Sequence, residues 1–365
     1  MRLGAGADVD HDVVGLILWI GYFLVVTLLV PLPRRPRRSP PPGNGAPGLC
    51  VLLPVRGLSE ANEQMVDRLL AQDYPTFRVL LLVESADDPA VLLMQRPGMA
   101  ARAQLVVGGL ATLGAQKLSN LLAGLAMLTA EDRIVVFCDA DSLPPADWLT
   151  RLTAPLRSGE AEVATTFRLL LPRRPRLGSC AYAAADVALA LAPRDRRRLL
   201  CWGGSTAVLA ARIPDLELPR RWRSVYNDDL VLSEGVAAAG LRGKVLLDLM
   251  LPSLIDVSLP AALRFERRQF LILRLYAPVQ ALMVALGFVL PLVFWVSATV
   301  KLLEGVALAP YAMATVFALD GLRAWRRSSA VRAIVGPALA RRWRCAAGRC
   351  RSCRGRSPAS ISSAP

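Results

Sequence analysis

Short runs of consecutive apolar residues alternate with helical patterns through the middle of the chain. Four such runs, LCVLLPV, FRVLLLVES, AQLVVGG and RIVVFCDAD, begin at residues 49, 77, 103 and 133. Continuously apolar runs of this length are typical of buried parallel strands. The segments between them, EANEQMVDRLLAQ, DPAVLLMQRPG and QKLSNLLAGLAMLTA, have the apolar spacing of helices. This alternation predicts a doubly wound α/β sheet, in which ligands bind beyond the carboxyl ends of the strands.

Three longer apolar runs flank this region. Residues 13–32 contain no charge and are numerous enough to span a bilayer. A cleaved signal peptide is the alternative, but the run exceeds a usual signal core and no small-residue cleavage site follows it. Residues 279–300 are also uncharged, and residues 302–319 contain a single charge, at Glu304. We therefore predict three transmembrane helices.

Arginines predict the orientation of these spans. The sequence PRRPRR follows the first span, and arginines flank both ends of the C-terminal pair. By the positive-inside rule, residues 1–12 face outward and residues 49–263 form a cytoplasmic domain. Residues 264–278 are an Arg-rich juxtamembrane segment. The bacterial inner (plasma) membrane is the expected location.

The C-terminal residues 323–365 are basic, and we expect a disordered tail that rests on anionic lipid. Three cysteines, Cys345, Cys350 and Cys353, lie in this tail. A zinc knuckle needs a fourth ligand, which is not nearby.

Composition narrows the function classes. Hydrophobic residues make up 54% of the 365 residues and the mean hydropathy is +0.40, which excludes both a disordered chain and an ordinary soluble globule. The formal net charge is +15, and no nucleic-acid partner is predicted because the arginines flank membrane spans. The one histidine, His11, precedes the first apolar run. Histidine catalysis and a His-rich metal site are therefore excluded.

Carboxylates follow two of the predicted strands. Glu84, Asp87 and Asp88 follow the second strand, and Asp139 and Asp141 follow the fourth. A buried strand that opens into two carboxylates is costly unless a cation compensates them. Such oxygens suit Mg²⁺ or Mn²⁺ bridging a diphosphate, although Asp-x-Asp also occurs by chance in loops. The segment GLATLGAQK lacks the Gly-Lys-Ser/Thr junction of a P-loop, so a P-loop NTPase is excluded.

Two later segments add candidate chemistry. CWGGSTAVLA places Trp202 beside Gly203 and Gly204, which allow close backbone approach to a ligand or form a tight turn. VYNDDLVLSEG puts Asp228 and Asp229 at the start of an Ala-rich helix, where Asn and Asp also serve as N-caps. Without a cytoplasmic histidine, a general base must be a carboxylate. These two aspartates are the leading candidates.

Taken in order, the segments PVRG, QDYPTFRVLLLVESADDPA, QKLSN, FCDAD, WGGSTAVLA and NDDLVLSEGVAAAG resemble the membrane-bound family 2 glycosyltransferases, most closely the ceramide glucosyltransferase branch. The resemblance covers about residues 49–278. It implies a Rossmann-like nucleotide-diphospho-sugar transferase domain of the GT-A type with flanking transmembrane helices. It also implies an inverting hexosyltransferase.

The resemblance also implies site residues. Asp139 and Asp141 match the metal-binding Asp-x-Asp, and Asp229 matches the catalytic base. The substrate-binding residues implied on the nucleotide-sugar side are Pro54, Glu84, Asp87, Asp88, Lys117, Asn120, Trp202, Gly203 and Gly204.

One family signature is altered. The (Gln/Arg)-x-x-Arg-Trp motif is expected just before the second span, where this chain has LRFERRQF and no Trp. Arg264 and Arg267 keep the arginine spacing, while Arg268 and Gln269 permit another register. In either register positive charge remains for a leaving diphosphate. Alternatively, these arginines are only positive-inside flanks.

The sequence thus predicts transfer of a sugar from a nucleotide-sugar, with a UDP-sugar favoured, to a hydroxyl of a membrane lipid. The acceptor is ceramide-like, hopanoid-like or another glycolipid precursor. A processive polysaccharide synthase is the alternative enzyme, but it needs more spans and the missing Trp. A catalytically inactive membrane scaffold is disfavoured because Asp88, Asp139, Asp141 and Asp229 are all retained. The apolar residues 246–259 fit either a lipid-facing surface or core packing.

Overall fold

The computed structural model describes residues 6–29, 46–191 and 199–346, with side chains described over 14–29, 46–191 and 199–334. The strands are β1 Leu49–Pro54, β2 Phe77–Val83, β3 Ala103–Val107, β4 Ile134–Cys138, β5 Val163–Thr165, β6 Arg168–Pro172, β7 Ser205–Leu209, β8 Gly243–Val245 and β9 Leu251–Ile255. The α-helices are α1 Gly6–Leu29, α2 Glu60–Leu70, α3 Met99–Arg102, α4 Gln116–Leu125, α5 Trp148–Arg157, α6 Leu177–Ala190, α7 Leu218–Arg221, α8 Asp228–Ala238, α9 Leu259–Tyr276, α10 Pro278–Leu303 and α11 Ala309–Ala346.

Seven strands form the central sheet, in the order β3-β2-β1-β4-β7-β5-β8. Strands β3, β2, β1 and β4 run parallel to one another, and all four were predicted from the apolar runs. Strand β7 is antiparallel to both β4 and β5. The predicted α/β fold with a parallel-rich sheet is confirmed.

Helices cover both faces of this sheet because successive strand residues point to opposite sides. Leu49, Val51 and Leu53 of β1 are buried on one face, among residues of α2 and α5. Cys50 and Leu52 are buried on the other face, among residues of α4 and α8. The two hydrophobic clusters hold α4 and α8, which carry candidate site residues, on one side of the sheet.

Strands β6 and β9 form a separate parallel pair, with Arg168 opposite Leu251. Within the apolar segment 246–259, Leu249 and Leu251 are 2% and 0% exposed and belong to the main core. This part of the segment is therefore core packing, the second of the two interpretations given above. Leu254 is more exposed, at 44%.

The segment after β2 differs from the expected α-helix. It forms a 3-10 helix at Pro89–Gln95, capped by Asp88, and the short α3 follows. Pro97 and Gly98 end the helical pattern early, because proline disfavours helix in the residue before it and Gly98 adopts a positive φ of 88°.

Helix α10 is the one helix in the described part of the chain that is long and apolar enough to cross a membrane. In α1 the apolar stretch is shorter, at Val14–Leu29, and residues 30–32 of the predicted first span lie outside the described residues. The two helices pack through Phe23 and Phe294, whose ring centroids are 5.2 Å apart. The predicted three-span topology stays a prediction.

The prediction of a disordered tail is wrong up to residue 346. Helix α11 continues from the expected third span through residues 323–346 as one element. The cause is a small apolar face: Ala330 is fully buried against Leu169 and Leu171 of β6, and Val331 packs beside it. Arginines are interspersed with the few apolar residues of this face, so the segment was interpreted from its charge alone. Residues 347–365, with Cys350 and Cys353, lie outside the described residues, as does the Cys345 side chain.

We expect Ala330→Asp to destabilise the docking of α11, because it places an unpaired charge in an apolar cluster. The measurement is the rate of trypsin cleavage within α11 in the purified full chain, together with the melting temperature. Ser328→Asp adds the same charge at an exposed position of the same helix and serves as the control. Equal cleavage rates in both variants would show that α11 does not depend on this contact.

Candidate active site

A lysine joins two carboxylates at the carboxyl end of β4. Lys117 lies on α4, Asp139 follows β4, and Asp228 is the first residue of α8. The Lys117 Nζ lies 2.6 Å from Asp139 Oδ1 and 2.6 Å from Asp228 Oδ2. These residues come from separate elements that converge where α/β sheets bind ligands. We refer to Lys117, Asp139, Asp228 and Asp229 as the lysine–aspartate cluster.

Two glycines give this cluster its close packing. A Cβ on Gly203 would collide with the Asp228 carboxylate and lie 2.9 Å from Asp229 Oδ1. A Cβ on Gly204 would collide with the Trp202 ring and lie 2.5 Å from Asp139 Oδ2. The glycines therefore allow these carboxylates and the Trp202 ring to pack against the backbone, and the segment leads into β7. Their predicted approach to a ligand stays a prediction.

Asp229 is held by the backbone of this glycine segment. The Gly203 N–H donates to Asp229 Oδ1 at 2.5 Å, and the Ser233 hydroxyl donates to the Asp229 carbonyl at 2.5 Å. Burial, reinforced by the charge of Asp228, raises the pKa of Asp229 to about 8. A pKa near neutrality suits a carboxylate that must take and release a proton.

Asn227 resolves the N-cap alternative. Its Oδ1 accepts from the Leu230 N–H at 2.7 Å, so Asn227 is the cap of α8. Asp228 and Asp229 then occupy the first helical turn with side chains available to the site.

Asp141 lies two residues beyond Asp139 and is exposed. Desolvation and the charge of Asp139 raise the pKa of Asp141, while Arg168 opposes this rise. The two carboxylates are thus near enough to repel each other, and a cation between them would relieve that repulsion. The hydroxyl of Ser142, the next residue, is buried without a hydrogen-bond partner in the described structure.

The donor set fits a hard divalent cation. The described residues contain no group of three or more His, Cys, Asp or Glu side chains arranged to hold a metal. Mg²⁺ characteristically binds through one or two carboxylates together with substrate phosphates. Asp139 and Asp141 could supply the protein oxygens of such a site, and ligand oxygens would supply others.

The residues after β1 and β2 form a neighbouring part of the sheet edge. Pro54 ends β1, and Asp88 Oδ1 accepts from the backbone N–H groups of Gly57 and Ala90, both at 2.8 Å. Glu84 is half-buried and Asp87 is exposed. Asp88 therefore ties together the loops after the two strands. Their predicted contact with a nucleotide stays a prediction.

Gln116 is a residue that the sequence analysis missed. Its Nε2 donates to Asn120 Oδ1 at 2.8 Å and to the Gly109 carbonyl at 2.7 Å, while its Oε1 accepts from the Ala111 N–H at 2.8 Å. It fixes the loop after β3 against α4, beside Lys117. Its position within QKLSN, next to Lys117, is the signal that could have identified it.

Trp202 is held through its backbone. Its N–H donates to the Thr165 hydroxyl at 3.1 Å, and its carbonyl accepts from the Thr206 hydroxyl at 2.7 Å. These bonds fix the entry into β7, so the ring of Trp202 lies over Gly204 at the edge of the lysine–aspartate cluster.

The juxtamembrane arginines lie on α9. Arg267 is exposed, Gln269 is half-buried, and Arg268 stacks on Phe265 with its guanidinium carbon 5.0 Å from the ring centroid. No ion pair in the described residues joins them to the lysine–aspartate cluster. At the end of α9, the Tyr276 hydroxyl accepts from the Tyr226 N–H at 3.0 Å. The catalytic role predicted for Arg267, Arg268 and Gln269 stays a prediction.

The model of glycosyl transferase family 21 matches residues 15–335. The chain belongs to glycosyl transferase family 21. This family 21 chain is thus a glycosyltransferase, the class of enzyme that the motifs indicated, although the motifs were compared with family 2.

Solved structures extend this comparison. The mannosyltransferase PcManGT from Pyrobaculum calidifontis, in complex with GDP-Man and Mn²⁺, is similar with 19% identity and a TM-score of 0.51, over 90% of this chain and 96% of that one. This similarity shows the GT-A glycosyltransferase fold. Glucosyl-3-phosphoglycerate synthase from Mycobacterium tuberculosis, in complex with Mn²⁺ and UDP-glucose, is similar with 15% identity and a TM-score of 0.36, over 71% and 83% of the chains. TarS from S. aureus is similar with 15% identity and a TM-score of 0.41, over 63% and 64%.

Proposed function

We propose that this family 21 glycosyltransferase transfers a sugar from a nucleotide-sugar, with a UDP-sugar favoured, to a hydroxyl of a membrane lipid. The observation that carries the proposal is the convergence of Lys117, Asp139, Asp228 and Asp229 at the carboxyl end of the parallel strands. One ammonium group and three carboxylates meet there. A positive charge can bind a leaving diphosphate, and a carboxylate can accept a proton.

The chain's own residues would place the donor. Lys117 would bind the diphosphate, since its ammonium faces two carboxylates that keep it charged. Gly203 and Gly204 would allow the sugar to approach the backbone. Asp139 and Asp141 would hold Mg²⁺ or Mn²⁺, which when bound supplies positive charge against the leaving diphosphate.

Asp229 is the proposed general base. It would take the proton of the acceptor hydroxyl as that oxygen bonds to the anomeric carbon and the bond to the diphosphate oxygen breaks. A single in-line displacement of this kind inverts the anomeric configuration. Asp228, paired to Lys117, would hold the lysine in place. Its charge also raises the pKa of the neighbouring Asp229.

The lipid acceptor is supported by the apolar helices. Helix α9 leads directly into α10, so the helix that can cross a membrane begins next to the catalytic domain. We propose an integral protein of a bacterial plasma membrane with a cytoplasmic catalytic domain and a lipid bilayer as its partner.

The test is incubation of the purified full chain with radiolabelled UDP- and GDP-sugars and total membrane lipid, followed by thin-layer chromatography. Label that migrates with an organic-soluble glycolipid supports the proposal. Label only in a high-molecular-weight polymer would indicate the polysaccharide synthase instead, and an unreacted donor throughout would contradict an active enzyme.

Asp141→Asn is expected to raise the metal requirement or abolish turnover while the fold persists. The measurement is Mn²⁺ binding by calorimetry in the presence of UDP, together with the metal dependence of turnover. Asp215→Asn, at an exposed ion pair with Arg212, is the control. Full activity of Asp141→Asn in EDTA would eliminate this role.

The topology predicts that protease added to sealed inside-out vesicles digests residues 49–263. The reason is the arginine bias around the apolar segments. Immunoblotting with an antibody against this domain measures its loss. Protection of the domain in intact inside-out vesicles, with digestion after detergent is added, would reverse the orientation.

A further inference from the structure

A second polar cluster surrounds Arg168 on β6, outside the lysine–aspartate cluster. Arg168 Nη2 lies 2.9 Å from the Tyr182 hydroxyl and 3.6 Å from Asp186 Oδ1. The guanidinium carbon is 5.7 Å from the ring centroid of Phe265. We call Arg168, Tyr182, Asp186, Phe265 and Glu266 the Arg168 cluster. Its members come from β6, α6 and α9.

The Arg168 cluster joins the catalytic domain to the helix that leads into α10. Tyr182 of α6 and Phe265 of α9 are in ring contact, with centroids 4.7 Å apart. Tyr182 is 6% exposed and its ring fixes the position of α9. Helix α9 thus links this cluster to the start of α10, the helix beside which an acceptor lipid would lie.

Arg168 also lies within the electrostatic reach of the candidate metal carboxylates. Burial opposes its charge, but the carboxylates of Asp186, Asp141 and Asp139 outweigh this and raise the pKa of Arg168. Arg168 in turn opposes the rise in the pKa of Asp141 that burial and Asp139 cause. The Arg168 cluster is thus adjacent to the acidic end of β4, where transfer is proposed to occur.

The cluster holds more hydrogen-bond acceptors than its own residues use. Arg168 pairs with Asp186, while Glu266 has no hydrogen bond or ion pair with any described residue. Burial raises the pKa of Glu266, and the charge of Arg168 opposes this rise. Side-chain exposures of 26% for Arg168 and 19% for Asp186 leave both groups accessible to a small ligand group. Burial raises the pKa of Asp186 to about 6, so it is mainly ionised at neutral pH. Ionised carboxylates only accept hydrogen bonds, so the oxygens of Asp186 and Glu266 suit a ligand that carries hydroxyl or amide N–H donors.

We propose that the Arg168 cluster is the subsite for the acceptor head group, in which Asp186 and Glu266 accept hydrogen bonds from hydroxyl or amide N–H groups of a neutral lipid. Arg168 and Tyr182 are positioning residues that hold Asp186 and α9 in place. This inference rests on the proposed function and deepens it by assigning the acceptor site to named residues.

The test measures binding apart from turnover. The purified full chain in detergent is titrated against an NBD-labelled short-chain ceramide, followed by fluorescence polarisation, with NBD-labelled phosphatidic acid as the anionic comparison. We expect the wild type to prefer the neutral probe. We expect Asp186→Ala and Glu266→Ala each to weaken its binding by about tenfold or more, the value for a lost hydrogen bond to a charged group.

Glu234→Ala, at an exposed glutamate of α8, is the matched control and should bind like the wild type. If Asp186→Ala fails to fold, Glu266→Ala carries the test, since alanine is favourable within a helix. Tyr182→Phe, which removes only the hydroxyl that Arg168 contacts, is then the second variant. In turnover assays the acceptor KM should rise while the donor KM stays unchanged, which a general structural defect would not produce.

Wild-type binding in both alanine variants would overturn the subsite. A wild type that prefers the anionic probe, or binds neither probe, would overturn the assigned head-group class. If the radiolabelled sugar is still transferred to an extracted lipid, the proposed function stands although the subsite is wrong. The transfer assay therefore separates failure of the subsite from failure of the proposed function.

Discussion

Asp229→Asn is expected to lower kcat by about 10²–10⁴-fold and to leave the donor KM nearly unchanged, because it removes the proposed base without changing the side-chain volume. The acceptor hydroxyl has a pKa far above 7, so a base must receive its proton as the new bond forms. Gly203 N–H and the adjacent helix start hold the Asp229 carboxylate in place. The measurement is steady-state kinetics with the radiolabelled donor that the panel identifies.

Two comparisons make this result specific. Asp228→Asn should lower activity less, and its effect should be mainly on donor binding because Asp228 pairs with Lys117. Glu234→Gln, an exposed residue of the same helix, should leave both parameters unchanged. A nearly silent Asp229→Asn beside a crippling Asp228→Asn would move the base by one residue. If neither mattered, the inverting mechanism would be wrong.

Lys117→Met is expected to lower kcat by about 10²–10³-fold, the usual cost of losing one preorganised group that stabilises developing negative charge. It is also expected to lower the melting temperature. Lys117 is the shared counter-charge of Asp139 and Asp228, and its removal leaves their repulsion uncompensated. Added Mn²⁺ should raise the melting temperature of this variant more than that of the wild type, because the cation then replaces part of the missing charge.

Lys244→Met is the matched control. Lys244 pairs with Glu160 at the surface, where an ion pair contributes little. It should change neither kcat nor the Mn²⁺ response. Wild-type turnover and wild-type melting in Lys117→Met would show that the lysine is dispensable at this site.

The sequence was sufficient for the strands that are buried on both faces. Runs such as VLLLV have no polar positions, and this pattern depends only on local burial, so β1, β2 and β4 were predicted nearly to the residue. Strand β3, at the sheet edge, is only partly buried. The carboxylates after β4 were identifiable for the same reason, since a strand end fixes where the next residues lie. Asn227 and the two aspartates were also placed correctly at a helix start.

Long-range pairing could not be predicted in this way. The direction of β7 depends on its partners β4 and β5, and STAVL has the same apolar pattern whether parallel or antiparallel. The Arg168 cluster joins three elements that are distant in sequence, and none of its residues belongs to a local motif. The docking of α11 depends on a buried alanine, a residue equally common on exposed helices.

The hydrogen bond between Tyr226 and Tyr276 ties the loop before α8 to α9, the helix next to the apolar segment. Tyr226 lies two residues before Asp228, and its backbone N–H is held by a hydroxyl at the end of α9. A shortened, detergent-free fragment that stopped before Leu259 would lose this anchor together with Phe265, which packs on Tyr182. Removing the hydrophobic end would make the fragment more soluble, but the loop that leads into α8 and its aspartates would then be less firmly held. Biochemical work on this enzyme therefore requires α9 to remain attached.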